Sequence, residues 1–111
     1  MSLLKLTRKQ EIDLYEILYL ESDINYTKIF TLEAVYSITS AKTLGTIQQQ
    51  LDRELFFRIN RGQVINLNHV SNYTKKGSLV IAEMINGHQF VFSRRRSKDF
   101  EKRQGEFYNL K

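Results

Sequence analysis

Arginine is the residue type in this chain with the most to offer chemically. The stretch FFRINRGQVINL at 56–67 sets Arg58, Asn60, Arg61 and Gln63 between apolar neighbours, and RRR follows at 94–96. A guanidinium is planar and permanently charged, and its fork of donors matches a phosphate or the O6/N7 edge of guanine. Phe56 and Phe57 before the polar run, and Val64, Ile65 and Leu67 after it, anchor both ends. RINRGQ therefore reads as a rigid loop that leaves the core and presents recognition residues. Arg58 is expected to pair locally with a carboxylate such as Glu54, while Arg61, beside Gly62, is read as a contact residue.

Other chemistries find few residues. The chain has no cysteine, hence no thiolate, disulfide or zinc ribbon, a composition that fits a reducing cytoplasm. Its two histidines, His69 and His88, lie in different segments without partners at ligand spacing and are read as surface or turn residues. No Ser/His/Asp set or Gly-rich phosphate loop is present, so neither an enzyme nor a bound cofactor is expected. No apolar run reaches the roughly 18 residues that span a bilayer, and no signal peptide opens the chain, so no membrane association is expected. Charge is more informative. Residues 1–52 carry five Lys/Arg against seven Asp/Glu, and residues 53–111 carry twelve against five, net −2 and +7. A pI near 9.6 with localised positive charge suits a polyanion partner, because each neutralised phosphate releases counterions. Solubility alone would also use surplus lysines. An alternative function is a protein-interaction module that meets an acidic partner through a basic face and open strand edges.

The elements that must position these arginines come from pattern alone, since proline is absent. A chain of 111 residues is read as one domain, 1–111, with no structural weight given to the opening MSL. EIDLYEILYLES alternates through Ile12, Leu14, Ile17, Leu18 and Leu20 and reads as a strand; YTKIFTLEAVYSIT continues in that style through Tyr26, Ile29, Phe30, Val35, Tyr36 and Ile38. SDIN between them is turn chemistry, which makes the two antiparallel neighbours. TLGTIQQQLD changes period, with Leu44, Ile47 and Leu51 on one helical face and Thr43 as N-cap. Strands follow at 64–73, 78–84 and 88–92. KKG separates the first two, and ING at 85–87 predicts a hairpin with a type I′ turn. Phe100, Phe107 and Leu110 return to helical spacing over 93–110, capped by Ser93 or Ser97 and expected to act as a lid on the sheet. Cations oppose the dipole at a helix start, which favours a role for RRR outside the helix. Tyr26 and Tyr36 could stack on bases or pack in the strands, and Asn66 reads as a structural side chain. The fold class is mainly β: small antiparallel sheets with a short central helix and a C-terminal helix.

Four of these stretches, EILYLESDINYTKIFT, TLGTIQQQL, LFFRINRGQVINLNHV and GHQFVFSRRR, resemble in order and spacing the landmarks of the LytTR DNA-binding domain. That module is the effector of many bacterial response regulators of the LytR/AlgR type, and the likeness covers about residues 11–100. It implies an elongated set of small antiparallel sheets that binds DNA through loops in the major groove rather than through a recognition helix. Its recurrent contact regions fall here on Asn25, Tyr26, Thr27 and Lys28, on Asn60 and Arg61, and on Arg94 and Arg95. Lys98 is a phosphate contact or faces solvent. Many members have histidine at the position of Asn60 and serine at that of Gly62; Asn60 could still read adenine, whereas Gly62 lacks the hydroxyl. The implied function is sequence-specific double-stranded DNA binding as a bacterial transcriptional regulator or its effector domain, in the cytoplasm. The implied partners are duplex DNA carrying paired short repeats, a second copy on that DNA and an upstream receiver domain of a two-component system.

Overall fold

The computed structural model describes residues 3–34 and 36–105. Val35, Phe107 and Leu110 of the expected elements lie outside them. The chain forms two compact units, Met1–Asn68 and His69–Lys111, and is mostly β, with three small antiparallel sheets among the described residues.

In the first unit, β1 (Leu3–Lys5) pairs with β2 (Glu11–Asp13). The five-stranded sheet holds β3 (Ile17–Asp23), β4 (Tyr26–Thr31), β5 (Ile38–Ser40), β6 (Phe56–Asn60) and β7 (Gln63–Asn66) in the order β5-β4-β3-β7-β6. The expected single strand over EIDLYEILYLES is thus two strands in two sheets. A 3-10 turn at Leu14–Glu16 divides them, because the Asp13 carboxylate accepts the Tyr15 N–H at 3.0 Å and curls the backbone. The same device divides the expected strand at 64–73. There the buried Asn66 accepts the Asn68 N–H at 3.0 Å, starting a 3-10 turn at Leu67–His69, and donates to the Ile17 carbonyl at 2.9 Å. YTKIFTLEAVYSIT is likewise interrupted after Thr31, and β5 folds back to place Ile38 opposite Ile29. Helix α1 (Leu44–Gln48) forms as expected, with Thr43 accepting the Thr46 N–H. Its Leu44 and Ile47, together with Leu51, join Leu4, Leu6, Ile12, Leu14, Ile17, Leu20, Ile29, Phe56 and Val64 in one core cluster. Leu3, placed in the disregarded MSL, opens β1, whose Leu4 is fully buried.

The second unit contains β8 (Val70–Lys76), β9 (Leu79–Met84) and β10 (Gln89–Val91) in the order β10-β9-β8, and helix α2 (Arg94–Gly105). β8 continues through the expected separator to Lys76. Gly77, at φ 62°, then turns the chain. The hairpin at ING forms, but its turn differs from type I′. Among the described residues of that turn only Gly87 has positive φ, at 89°, and the Gly87 N–H bonds to the Met84 carbonyl, the pattern of a three-residue loop closed by a left-handed glycine. Ser93 caps α2 through the Arg96 N–H at 3.2 Å. Ser97 is fully buried instead: its hydroxyl accepts the Val80 N–H at 3.0 Å and donates to the Phe92 carbonyl at 3.4 Å, stitching helix to sheet. Phe100 packs edge-on against Phe92 and tilts against Tyr73, both at 5.1 Å, so α2 is a lid on this sheet as expected. His69 is buried rather than a surface residue. No helix among the described residues is long and apolar enough to cross a membrane.

Candidate nucleic-acid interface

RINRGQ proves to be a hairpin and not a loop. Phe57, Ile59 and Val64 are buried, and Arg58 and Asn60 alternate with them along β6, leaving Arg61 and Gly62 as a two-residue turn. Period-two alternation explains the mixed composition: each polar residue answers a buried one on the opposite face. A register shift between Arg58 and Asn60 bends the strand just before the turn.

Arg58 spans this hairpin. Its guanidinium donates to the Gln48 side chain at 3.0 Å, to the Asn60 carbonyl at 3.3 Å and to the Arg61 carbonyl, which makes it a brace for the turn. Asn60 is committed as well. Its Oδ1 accepts the Gly62 N–H at 2.9 Å and its Nδ2 donates to Gln63 Oε1 at 2.8 Å. The amide expected to read adenine is therefore part of the turn's own framework. Arg61 stands exposed beyond these bonds, with no side-chain hydrogen bond or ion pair among the described residues.

The β3–β4 turn, Ile24 and Asn25, sits at the same end of the sheet. β3 is central, flanked by β4 on one side and β7 on the other. The Ser22 N–H donates to the Gly62 carbonyl at 2.8 Å, and Gln63 Nε2 donates to Glu21 at 3.1 Å. These two bonds couple the end of β3 to the Arg61–Gly62 turn, so both turns, one carrying Asn25 and the other Arg61, leave the same end of the sheet side by side. Asn25 is exposed, and Tyr26 is about half exposed. Lys28 pairs with Asp23 at 3.4 Å across the hairpin. Thr27 departs from expectation: it is fully buried and its hydroxyl donates to the Lys42 carbonyl at 2.8 Å, so it anchors the hairpin from inside. Tyr36 is also exposed. The sequence singles out Gln63 within RINRGQ, but not its tie to Glu21 or the Ser22–Gly62 bond, because a cross-strand tie between distant segments has no local signature.

The arginine run belongs to the second unit. All three arginines lie inside α2, in its first turn, because the Ser93 cap and the Ser97 and Phe100 anchors fix where the helix starts. Arg96 pairs with Asp99 at 2.7 Å. Arg94, Arg95 and Lys98 are exposed, and none of them has a side-chain partner among the described residues. Two like-signed charges against the positive end of a helix cost roughly 0.3–1 kcal/mol each, and no acidic residue offsets them in that turn. Residues 69–111 carry nine Lys/Arg against four Asp/Glu, while residues 1–68 carry eight of each. The basic surplus is therefore a property of the second unit. No group of three or more metal-ligating residues occurs among the described residues.

Comparison with known proteins gives a consistent picture. Among solved structures, the chain is similar to the LytTr DNA-binding domain of a protein described as a methyl-accepting/DNA response regulator from Bacillus cereus. The TM-score is 0.80 at 22% identity, over 95% of this chain and 98% of that one, a likeness of fold. No curated protein matches the chain. The family model of the LytTr DNA-binding domain matches residues 8–105. With the sheets, turns and arginines in place over that span, the chain belongs to the LytTR family of DNA-binding domains.

Proposed function

We infer that this domain regulates transcription in bacteria by binding duplex DNA sequence-specifically, with the coupled β3–β4 and β6–β7 turns entering the major groove. The observation that carries the reading is the side-by-side placement of those turns, with an exposed and unengaged Arg61 at the apex of one. A hairpin backbone that is already braced loses little freedom when the guanidinium it carries bonds guanine O6 and N7. Asn25, Tyr26 and Lys28 contact base edges or phosphates from the neighbouring turn. Arg94, Arg95 and Lys98 supply a separate contact from the second unit, where a phosphate would offset the helix-start charge. Asn60 and Thr27 serve as framework. One domain this small covers a short stretch, so two copies occupy paired repeats on one duplex, and the domain acts in the cytoplasm as the effector of a response regulator.

The deciding experiment selects bound duplexes from a random pool and titrates the best of them at several salt concentrations. Affinity is expected to fall steeply with salt. A flat response, or an empty selection, contradicts the reading. Sedimentation is expected to show a monomer alone and two copies on a two-repeat duplex; a stable dimer without DNA contradicts the pairing.

A further inference from the structure

Ile24 occupies a conformation that its own chemistry disfavours. Its φ of 57° lies in the left-handed region, where a β-branched side chain crowds the following carbonyl, and it is the only non-glycine residue with positive φ among those described. Burial does not offset that strain, since the residue is 87% exposed. Asparagine would sit there more comfortably, and an asparagine is the very next residue. The chain thus holds a large apolar group at the apex of the β3–β4 turn against backbone preference and almost wholly in solvent. Strain of this kind points toward a ligand.

Resting on the reading that this end of the sheet enters the major groove, we propose that Ile24 is a specificity-determining residue that packs on the C5-methyl of a thymine. The methyl is the apolar feature of the major-groove edge, and hydrogen-bonding side chains such as those of Asn25 and Arg61 cannot report it. An apolar apex complements them. The sheet order places the two hairpins two strand spacings apart, roughly 10 Å, so the thymine lies within about three base-pair steps of roughly 3.4 Å from the base met by Arg61. The bonds from Ser22 and Gln63 hold the two readers in that register.

The test uses the full chain and a duplex selected by it from a random pool, with each thymine replaced in turn by deoxyuridine, which removes the methyl alone. At one position the replacement is expected to weaken binding about four-fold, the factor that corresponds to burying one methyl group. Ile24→Gly and Ile24→Ala are expected to lose a similar factor on the thymine duplex and to stop distinguishing it from the deoxyuridine one. Ile24→Val keeps the discrimination. Thermal unfolding guards against a folding artefact, since Ile24→Gly relieves the positive φ and should melt no lower than wild type. Full tolerance of deoxyuridine at every position of a selected duplex overturns the role of Ile24 while leaving DNA binding intact, as does an Ile24→Gly variant with an unchanged deoxyuridine profile. An empty selection removes the DNA reading and the thymine contact together.

Discussion

The Ser22 N–H bonds to the Gly62 carbonyl at 2.8 Å, and through that bond between residues 40 apart in sequence two hairpin turns become one surface. Strands that merely shared a sheet could still present their turns in variable register. This bond, with the Gln63–Glu21 contact beside it, sets the register between the two turns that carry Asn25 and Arg61.

Asn60→Ala tests the framework. It removes the acceptor of the Gly62 N–H and the donor to Gln63. A loss of about 1 kcal/mol of folding stability is expected from the released bonds, together with weaker specific binding as Arg61 loses its brace. Urea denaturation and duplex titration of the same preparation measure both.

Arg61→Ala and Arg94→Ala are each expected to lower affinity for a selected duplex while leaving weak binding to random DNA mostly intact. A lost guanine contact is worth about 1–3 kcal/mol of discrimination. Lys75 provides the contrast, because it is tied to Glu101 at 3.0 Å. Lys75→Ala should leave binding unchanged and cost at most ~1 kcal/mol of stability, as for other exposed ion pairs. Equal loss of specific and random binding in the arginine variants would mean that the turns act only as charge.

Gly62→Ser should be accommodated without strain. A Cβ at that position meets Asn60 Oδ1 and Ser22 Cβ at an ordinary 3.9 Å, and the backbone there is not left-handed. Reduced freedom of the unfolded chain is expected to raise stability by about 0.4–1 kcal/mol, and the added hydroxyl to strengthen binding to random duplexes modestly. A lowered melting temperature would refute the steric part.

Ser97→Ala leaves the buried Val80 N–H without its acceptor. A loss of about 1–3 kcal/mol is expected, read by thermal unfolding, with hydrogen exchange accelerated at Val80. Ser93→Ala removes only the partly buried cap of the same helix and should cost about 1 kcal/mol.

Much of this architecture was legible where local chemistry decides it. Thr43 before Leu44, Ile47 and Leu51 announces α1, and Ser93 before Phe100 announces α2. The breaks at Asp13 and Asn66 were not, because an Asx side chain that curls a strand leaves the apolar pattern on both sides intact. RINRGQ misled for the opposite reason: Ile59 is a single apolar residue between polar ones, and only its pairing partners establish it as strand. In the site, the exposure of Arg61 could be anticipated from its residue type and its place beside Gly62, whereas Asn25 came only from the family resemblance. The commitment of Asn60 to its own turn and the burial of Thr27 could not, since both depend on partners supplied by tertiary structure. The placement of RRR within α2 was missed because dipole repulsion is small beside the packing of Phe92 and Phe100.

β8 is an outer strand of its three-stranded sheet, seven residues long, and such a strand is a template on which another chain could build. Its exposed residues are Ser71, Asn72, Thr74, Lys75 and Lys76. Any chain that added along this edge would find no apolar strip to bury and would have to approach two lysines. The composition that reads locally as an unremarkable polar strand thus acts as a guard against fibrous self-association, and replacing Thr74 and Lys76 with valine would be a direct way to disarm it.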